Sequence, residues 1–146
     1  MEEKDKETWE LLHTADGIVV PGGFGSRGIE GKILAAKYAR ENNIPYLGLC
    51  LGMQIMTIEF ARQAMKDNKI TSEEFDEEKK LSPEKYVIHF LAGQSNDRAK
   101  GGTLRLGSYP CKIKEGTKTL KLYKKTLIEE RHRHRYEFNN DYKAEL

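Results

Sequence analysis

One nine-residue stretch constrains this chain more than any other: Tyr46-Leu47-Gly48-Leu49-Cys50-Leu51-Gly52-Met53-Gln54. A short apolar run ends in a cysteine with a glycine two residues before it and another two after. Gly-x-Cys-x-Gly is the thiol form of the nucleophile elbow, in which a strand enters a tight turn and then a helix, with the nucleophile at the apex. The turn needs backbone angles and a close strand–helix approach that side chains at the flanking positions would obstruct. A thiol placed there sits at the start of the following helix, where free N–H groups and the positive end of the helix dipole favour a thiolate. A lone cysteine is more often a buried, inert side chain. The paired glycines and the chain around them decide for the nucleophile.

The flanking sequence supplies the frame that such an elbow requires. Gly17-Ile18-Val19-Val20 reads as a buried parallel strand and runs into the glycine-rich turn Pro21-Gly22-Gly23-Phe24-Gly25-Ser26-Arg27-Gly28. Residues 29–42 carry Ile29, Ile33 and Ala36 on one helical face and stop at Asn42-Asn43 and Pro45. Pro45 opens the strand to Cys50, and a helix follows from Gly52 to Met65 with Ile55, Ile58 and Met56 or Phe60 inward. Strand, helix, strand, helix is a βαβ unit, hence a parallel sheet covered by helices. Before it, residues 1–15 read as a linker or short polar helix with Trp9, Leu11 and Leu12 as apolar contacts. After it, residues 66–85 read as a charged surface excursion, Tyr86–Phe90 as a strand and Gly93–Gly102 as a loop. Thr103–Leu106 and Pro110–Ile113 read as half-exposed strands, and Thr117–Lys125 as a short helix. Within Leu127–Phe138, taken as a strand, Arg131, Arg133 and Arg135 point one way and His132, His134 and Tyr136 the other.

At 146 residues the chain is about one domain. No apolar run approaches the roughly 18 residues of a membrane span, and the charged start Met1–Glu7 has no apolar core of a signal peptide. Cys50 and Cys111 show no paired spacing, which argues against a disulfide framework or a zinc site and suits a reducing, cytoplasmic setting. Residues 112–135 hold nine Lys/Arg against three Glu, a local +6; a solvated basic face is the simpler reading than a nucleic-acid surface.

Three chemistries compete for this pattern. Gly23-x-Gly25-x-x-Gly28 follows a strand and opens a helix, as a dinucleotide fingerprint does. The next strand should then end in Asp or Glu to hold a ribose, and it ends in Leu49-Cys50 instead. The second reading is acyl transfer by a thiolate. The strand ends at Gly22-Gly23 and at Cys50 open on the same sheet edge, so N–H groups from that turn and from Leu51 converge on an oxyanion. Glu74 and Arg135 offer the opposite charges that an α-amino acid requires. The third is a catalytically inert interaction module whose Cys50 does nothing.

Four stretches carry a resemblance: Pro21-Gly22-Gly23-Phe24-Gly25; Gly48 through Gln54; Gly101-Gly102-Thr103-Leu104-Arg105-Leu106-Gly107; and Glu130-Arg131-His132-Arg133-His134-Arg135-Tyr136-Glu137. They resemble the class I glutamine amidotransferase domain of the CTP synthases. The first two stretches are general to class I amidotransferases, and the last two are particular to CTP synthases. The resemblance runs from Asp16 to Asn140 and is weak over 78–100.

The resemblance implies a three-layer α/β fold, an open and mostly parallel sheet with flanking helices, here truncated at both ends, with residues 16–146 forming a partial amidotransferase domain. It implies that Cys50 attacks glutamine through a γ-glutamyl thioester and releases ammonia. Gly23 and Leu51 would form the oxyanion hole, and Leu51, Gly52, Met53 and Gln54 would line the glutamine pocket. Glu74 would hold the α-amino group and Arg135 the α-carboxylate. The ammonia would pass to a synthetase domain, absent here, that uses ATP and magnesium to convert UTP to CTP with GTP as activator, in a homo-oligomer. No cofactor or metal is expected in this chain, and neither nucleic acid nor membrane as a partner. The family's base is a histidine in a His-Pro-Glu sequence. The four histidines here, His13, His89, His132 and His134, all lack a following proline. The expectation is an unfinished site, with His132 and His134 shaping the structure rather than acting as base or metal ligands.

Overall fold

The computed structural model describes residues 6–90 and 105–146. The Gly93–Gly102 loop and Thr103-Leu104 therefore lie outside the described residues. The chain divides into two compact units, residues 1–90 with 136–146, and residues 91–135.

The first unit begins with helix α1 (Lys6–His13). It rests on aromatic contacts, Trp9 meeting Tyr38 edge-on at 6.2 Å and His13 lying 5.0 Å from the same ring. Leu11, expected as an apolar contact, is 74% exposed, while the other two expected contacts, Trp9 and Leu12, are half-buried. Strand β1 (Ile18–Val20) pairs in parallel with β2 (Tyr46–Gly48), Val20 opposite Gly48, and helix α2 (Ile29–Glu41) crosses between them. Helix α3 (Leu51–Met65) leaves directly from the end of β2. This is the expected βαβ order. The ribbon is covered on one face only. Val20 is buried, while the facing pair Val19 and Leu47 is 62% and 56% exposed.

Ile29, Ile33 and Ala36 of α2 join Leu51, Ile55, Ile58 and Ala61 of α3 in one buried cluster. Ile55 and Ile58 expose nothing, and each such side chain contributes about 1.5–3 kcal/mol. Met56 and Phe60, proposed as inward alternatives, are 41% and 44% exposed. They lie on the flank of the i, i+4, i+7 stripe that starts at Leu51. Two bidentate ion pairs tie the helices together. Arg40 Nε and Nη2 donate to Glu59 at 2.9 and 2.8 Å, and Arg62 donates to Glu30 at 2.8 and 3.0 Å.

The segment read as a charged excursion is anchored in the core. Ile70, Thr71 and Ser72 are buried, and strand β3 (Thr71–Ser72) pairs in parallel with β4 (Tyr86–Phe90). Arg62 Nε donates to the Ile70 carbonyl at 2.7 Å. Asp76 organises the rest, accepting from Leu81 N and from the Tyr86 hydroxyl, each at 2.7 Å. The Leu81 N–H, aided by that hydroxyl, holds the Asp76 carboxyl below the ordinary range. Strand β7 (Tyr136–Phe138) pairs antiparallel with β4, Ile88 opposite Phe138. The architecture is a mixed α/β fold with parallel and antiparallel pairs.

In the second unit, β5 (Arg105–Lys112) and β6 (Leu127–His134) form an antiparallel hairpin in continuous register from Arg105↔His134 to Lys112↔Leu127. Helix α4 (Lys118–Tyr123) lies between them in sequence, capped by Thr117 Oγ1, which accepts from Leu120 N at 3.2 Å. Thr103–Leu106 and Pro110–Ile113, expected as separate strands, have their described residues in one strand or next to it. Pro110 is tolerated because each strand of a two-stranded ribbon is an edge. The long strand expected to Phe138 breaks at Arg135, so Arg135 leaves the alternation that Arg131 and Arg133 keep. Among the described residues, no helix is long and apolar enough to cross a membrane.

Burial, with Asp76 beside the ring, pushes the Tyr86 phenol up to about 12. Burial alone does the same for Tyr46. A phenol raised above its ordinary value of roughly 10 stabilises the fold below that value. The contribution is lost as pH climbs toward about 12. Denaturant titrations should therefore show stability falling across that alkaline window, and Tyr86→Phe should flatten the slope. An unchanged slope in the variant would refute the linkage.

Candidate active site

Cys50 stands where β2 ends and α3 begins, with φ 52° and ψ −107°. These angles lie outside the ordinary α and β regions and are rare for a side chain other than glycine. The backbone around it is held firmly. Leu49 N donates to the Val20 carbonyl at 2.9 Å, and Met53 N and Gln54 N donate to the Cys50 carbonyl at 3.1 and 3.2 Å. The thiol is free and exposed.

The flanking glycines are sterically required. A Cβ on Gly52 would stand 2.0 Å from the Val20 carbonyl oxygen, and one on Gly48 would stand 2.4 Å from the Gly52 carbonyl carbon. The first turn of α3 therefore presses directly on β1 and β2.

The same packing brings the Gly22–Gly23 turn to the thiol. A Cβ on Gly22 would lie 3.5 Å from Cys50 Cβ and 4.0 Å from Sγ, and one on Gly23 would lie 3.0 Å from a Leu51 methyl. Gly23, Cys50 and Leu51 thus meet, as the βαβ topology required. Among the described residues, neither the Gly23 nor the Leu51 N–H has a hydrogen-bond acceptor.

Glu74 also reaches this turn. Its Oε1 accepts from Gly25 N at 3.0 Å, and Ser26 Oγ donates to Glu77 Oε1 at 2.8 Å. The Ser26–Glu77 link escaped sequence reasoning, since nothing local in either segment signals a partner about fifty residues away. The other expected pocket residues divide. Leu51 and Gly52 are buried at the elbow. Gln54 is buried and donates from Nε2 to the Tyr136 carbonyl at 3.3 Å, which joins α3 to β7. Met53 lines an apolar cavity of about 530 Å³ with Tyr46, Met56, Phe60 and Phe138. Arg135 is the last residue of the second unit. Of the histidines, His89 lies on β4 and borders a cavity with Glu73 and Tyr86. His132 and His134 lie on β6.

The model of the glutamine amidotransferase class-I family matches residues 1–146. The chain is 59% identical to a CTP synthase of Caldanaerobacter subterraneus over 97% of its own length and 26% of that protein's. It is 53% identical to the CTP synthase of Bacillus subtilis, over 94% of its length and 25% of the relative's. It thus spans about a quarter of the length of these curated relatives. Among solved structures it matches a Trypanosoma brucei CTPS glutaminase domain with bound acivicin, with a TM-score of 0.82 and 39% identity. That match covers 99% of this chain and 53% of the other.

The elbow's tolerance is measurable. Gly52→Ala drives a methyl into the Val20 carbonyl and should cost about 3 kcal/mol in denaturant unfolding, the upper end for overpacking. Gly25→Ala, whose Cβ would meet nothing within 4 Å, should cost only about 1 kcal/mol for its left-handed backbone. Equal losses would contradict the close-contact account.

Proposed function

The chain belongs to the class-I glutamine amidotransferase family, and we propose that it is the glutaminase part of a CTP synthase working through a Cys50 thioester. The Cys50 thiolate attacks the side-chain carboxamide carbon of glutamine, and the C=O electron pair moves onto oxygen. Gly23 and Leu51 N–H groups stabilise that oxyanion. Collapse restores the carbonyl, breaks the C–N bond and releases ammonia once the nitrogen takes up a proton. Water then cleaves the γ-glutamyl thioester. The observation carrying this reading is the approach of the Gly22–Gly23 turn to Cys50, with two N–H groups beside it that find no acceptor among the described residues.

Substrate recognition rests on charge. Glu74 uses Oε1 for Gly25 N, which leaves Oε2 for glutamine's α-ammonium, and Arg135 takes the α-carboxylate. In the whole protein the ammonia serves ATP- and magnesium-dependent amination of UTP to CTP on a synthetase domain, with GTP as activator, in a cytoplasmic homo-oligomer. Those steps draw on the likeness to CTP synthases and not on groups held by this chain.

The nitrogen's proton is the step these residues leave unserved, since no histidine here precedes Pro-Glu. The 146-residue chain should therefore be alkylated by a glutamine analogue that carries a better leaving group, while glutamine itself is neither transferred to Cys50 nor turned over. A diazo-ketone analogue of glutamine, followed by mass spectrometry, should label Cys50 in preference to Cys111, while glutamine hydrolysis stays at background. Glu74→Gln should slow labelling about 10-fold or more, since a hydrogen bond to a charged group contributes about 1.5–3 kcal/mol. Equal labelling of both cysteines would sink the reading and favour an inert interaction module. Robust turnover would show that one of the four histidines acts as base.

A further inference from the structure

The turn that faces Cys50 is held from outside itself. Four of the eight residues from Pro21 to Gly28 are glycine, which leaves the backbone wide conformational freedom. Phe24, the turn's large apolar side chain, is 89% exposed. Among the described residues, Gly25 is the one member of 22–25 whose N–H has an acceptor. Two side-chain hydrogen bonds hold the middle of the turn. Gly25 N donates to Glu74 Oε1 at 3.0 Å, and Ser26 Oγ donates to Glu77 Oε1 at 2.8 Å.

The segment that bears both carboxylates is itself anchored. Phe75 packs against the buried cluster, and its N–H donates to the Ser72 carbonyl at 3.0 Å. Asp76 accepts from Lys80 N, Leu81 N and the Tyr86 hydroxyl. The two residues between Glu74 and Glu77 are thus fixed to the body of the unit, and the two flanking carboxylates reach out to the turn.

We propose that Glu77 is a positioning residue for the attack on glutamine: through Ser26 it sets the place of the Gly22–Gly23 turn, and so of the Gly23 N–H, beside Cys50. The inference rests on the reading of Cys50 as the nucleophile toward glutamine. An oxyanion donor is effective when it already points to where charge develops, and a misplacement of about 1 Å costs on the order of 100-fold in rate. Gly23 is three residues from Ser26, so slack at Ser26 reaches it through the exposed Phe24 and through Gly25. Glu74 has two duties in that reading, Oε1 on Gly25 N and Oε2 on the α-ammonium, so a change there moves binding and turn together. Glu77 bonds Ser26 and no substrate group, so it acts on the turn alone. Ser26 and Glu77 are both exposed. Their bond therefore adds little to the stability of the fold, and its effect falls on a turn with few other ties.

The test follows alkylation of Cys50 by the diazo-ketone analogue over a range of its concentrations, which separates half-saturation from the limiting rate. Glu77→Ala and Ser26→Ala should each lower the limiting rate about 5-fold, the effect of one hydrogen bond, at an unchanged half-saturating concentration. The double variant should lose no more than either single one. Glu77→Gln and Ser26→Thr, which keep an acceptor and a hydroxyl, should recover most of the rate. Iodoacetamide needs neither the turn nor the pocket, and should alkylate Cys50 equally in every variant. Unsubstituted rates in both alanine variants, additive losses, a change confined to half-saturation, or an altered iodoacetamide rate would each overturn the role of Glu77 while leaving Cys50 as the nucleophile. Should Glu77→Ala not fold, Ser26→Ala and Ser26→Thr decide the matter by the same criteria. An unsubstituted chain whose labelling never saturates, or does not prefer Cys50 to Cys111, would remove the nucleophile reading and the role of Glu77 with it.

Discussion

The contact between Gly52 and the backbone of β1 is the constraint on which the site depends. With no Cβ to hold α3 away from the Val20 carbonyl, the helix starts directly on the sheet. The chain can then turn only through the unusual angles seen at Cys50. A residue held in such a region costs of order 1–3 kcal/mol. The cost is offset further along the same helix, where Leu51, Ile55, Ile58 and Ala61 are buried against α2. The elbow persists because its helix is committed to the core. Tyr46 reinforces it by donating its hydroxyl to the Gly52 carbonyl at 3.1 Å.

That commitment spreads to the neighbouring loop. The Pro21–Gly28 turn has little apolar material of its own, and Phe24 is 89% exposed. What holds it is the segment after β3. Glu74 and Glu77 reach Gly25 and Ser26 across almost fifty residues of sequence. Their segment is fixed by Ser72, which exposes nothing, and by Glu73, whose N–H donates to the Ile88 carbonyl. The turn that meets Cys50 is therefore positioned by the β3–β4 pair as much as by β1.

This division explains what the sequence made legible. The elbow could be read because its requirement is steric and local, since Gly48 and Gly52 state within five residues how close the strand and helix must come. The Gly22–Gly23 approach followed from topology, because a βαβ crossover leaves two strand ends on one edge. β3 was not legible. Two residues cannot show a period, and Thr71-Ser72 is followed by Glu73-Glu74, which reads as solvated surface until both carboxylates are seen accepting backbone N–H hydrogens. Met56 and Phe60 misled for another reason. α3 is apolar on several sides, so periodicity alone does not mark where the buried stripe ends. The break at Arg135 was hidden because β6 and β7 read as one alternating run, although they pair with different partners.

The elbow and the neighbouring turn are held by different kinds of group. The Gly23 and Leu51 N–H groups beside Cys50 have directions set by backbone packing and not by rotamers. Such donors reorganise little when charge appears. Glu74, by contrast, holds the turn through a side chain on the loop after β3. A substitution at Glu74 would release the turn at Gly25 without disturbing the elbow. A side chain at Gly48 or Gly52 would disturb both, because the thiol, the Leu51 donor and the approach of the Gly22–Gly23 turn all derive from one strand–helix contact.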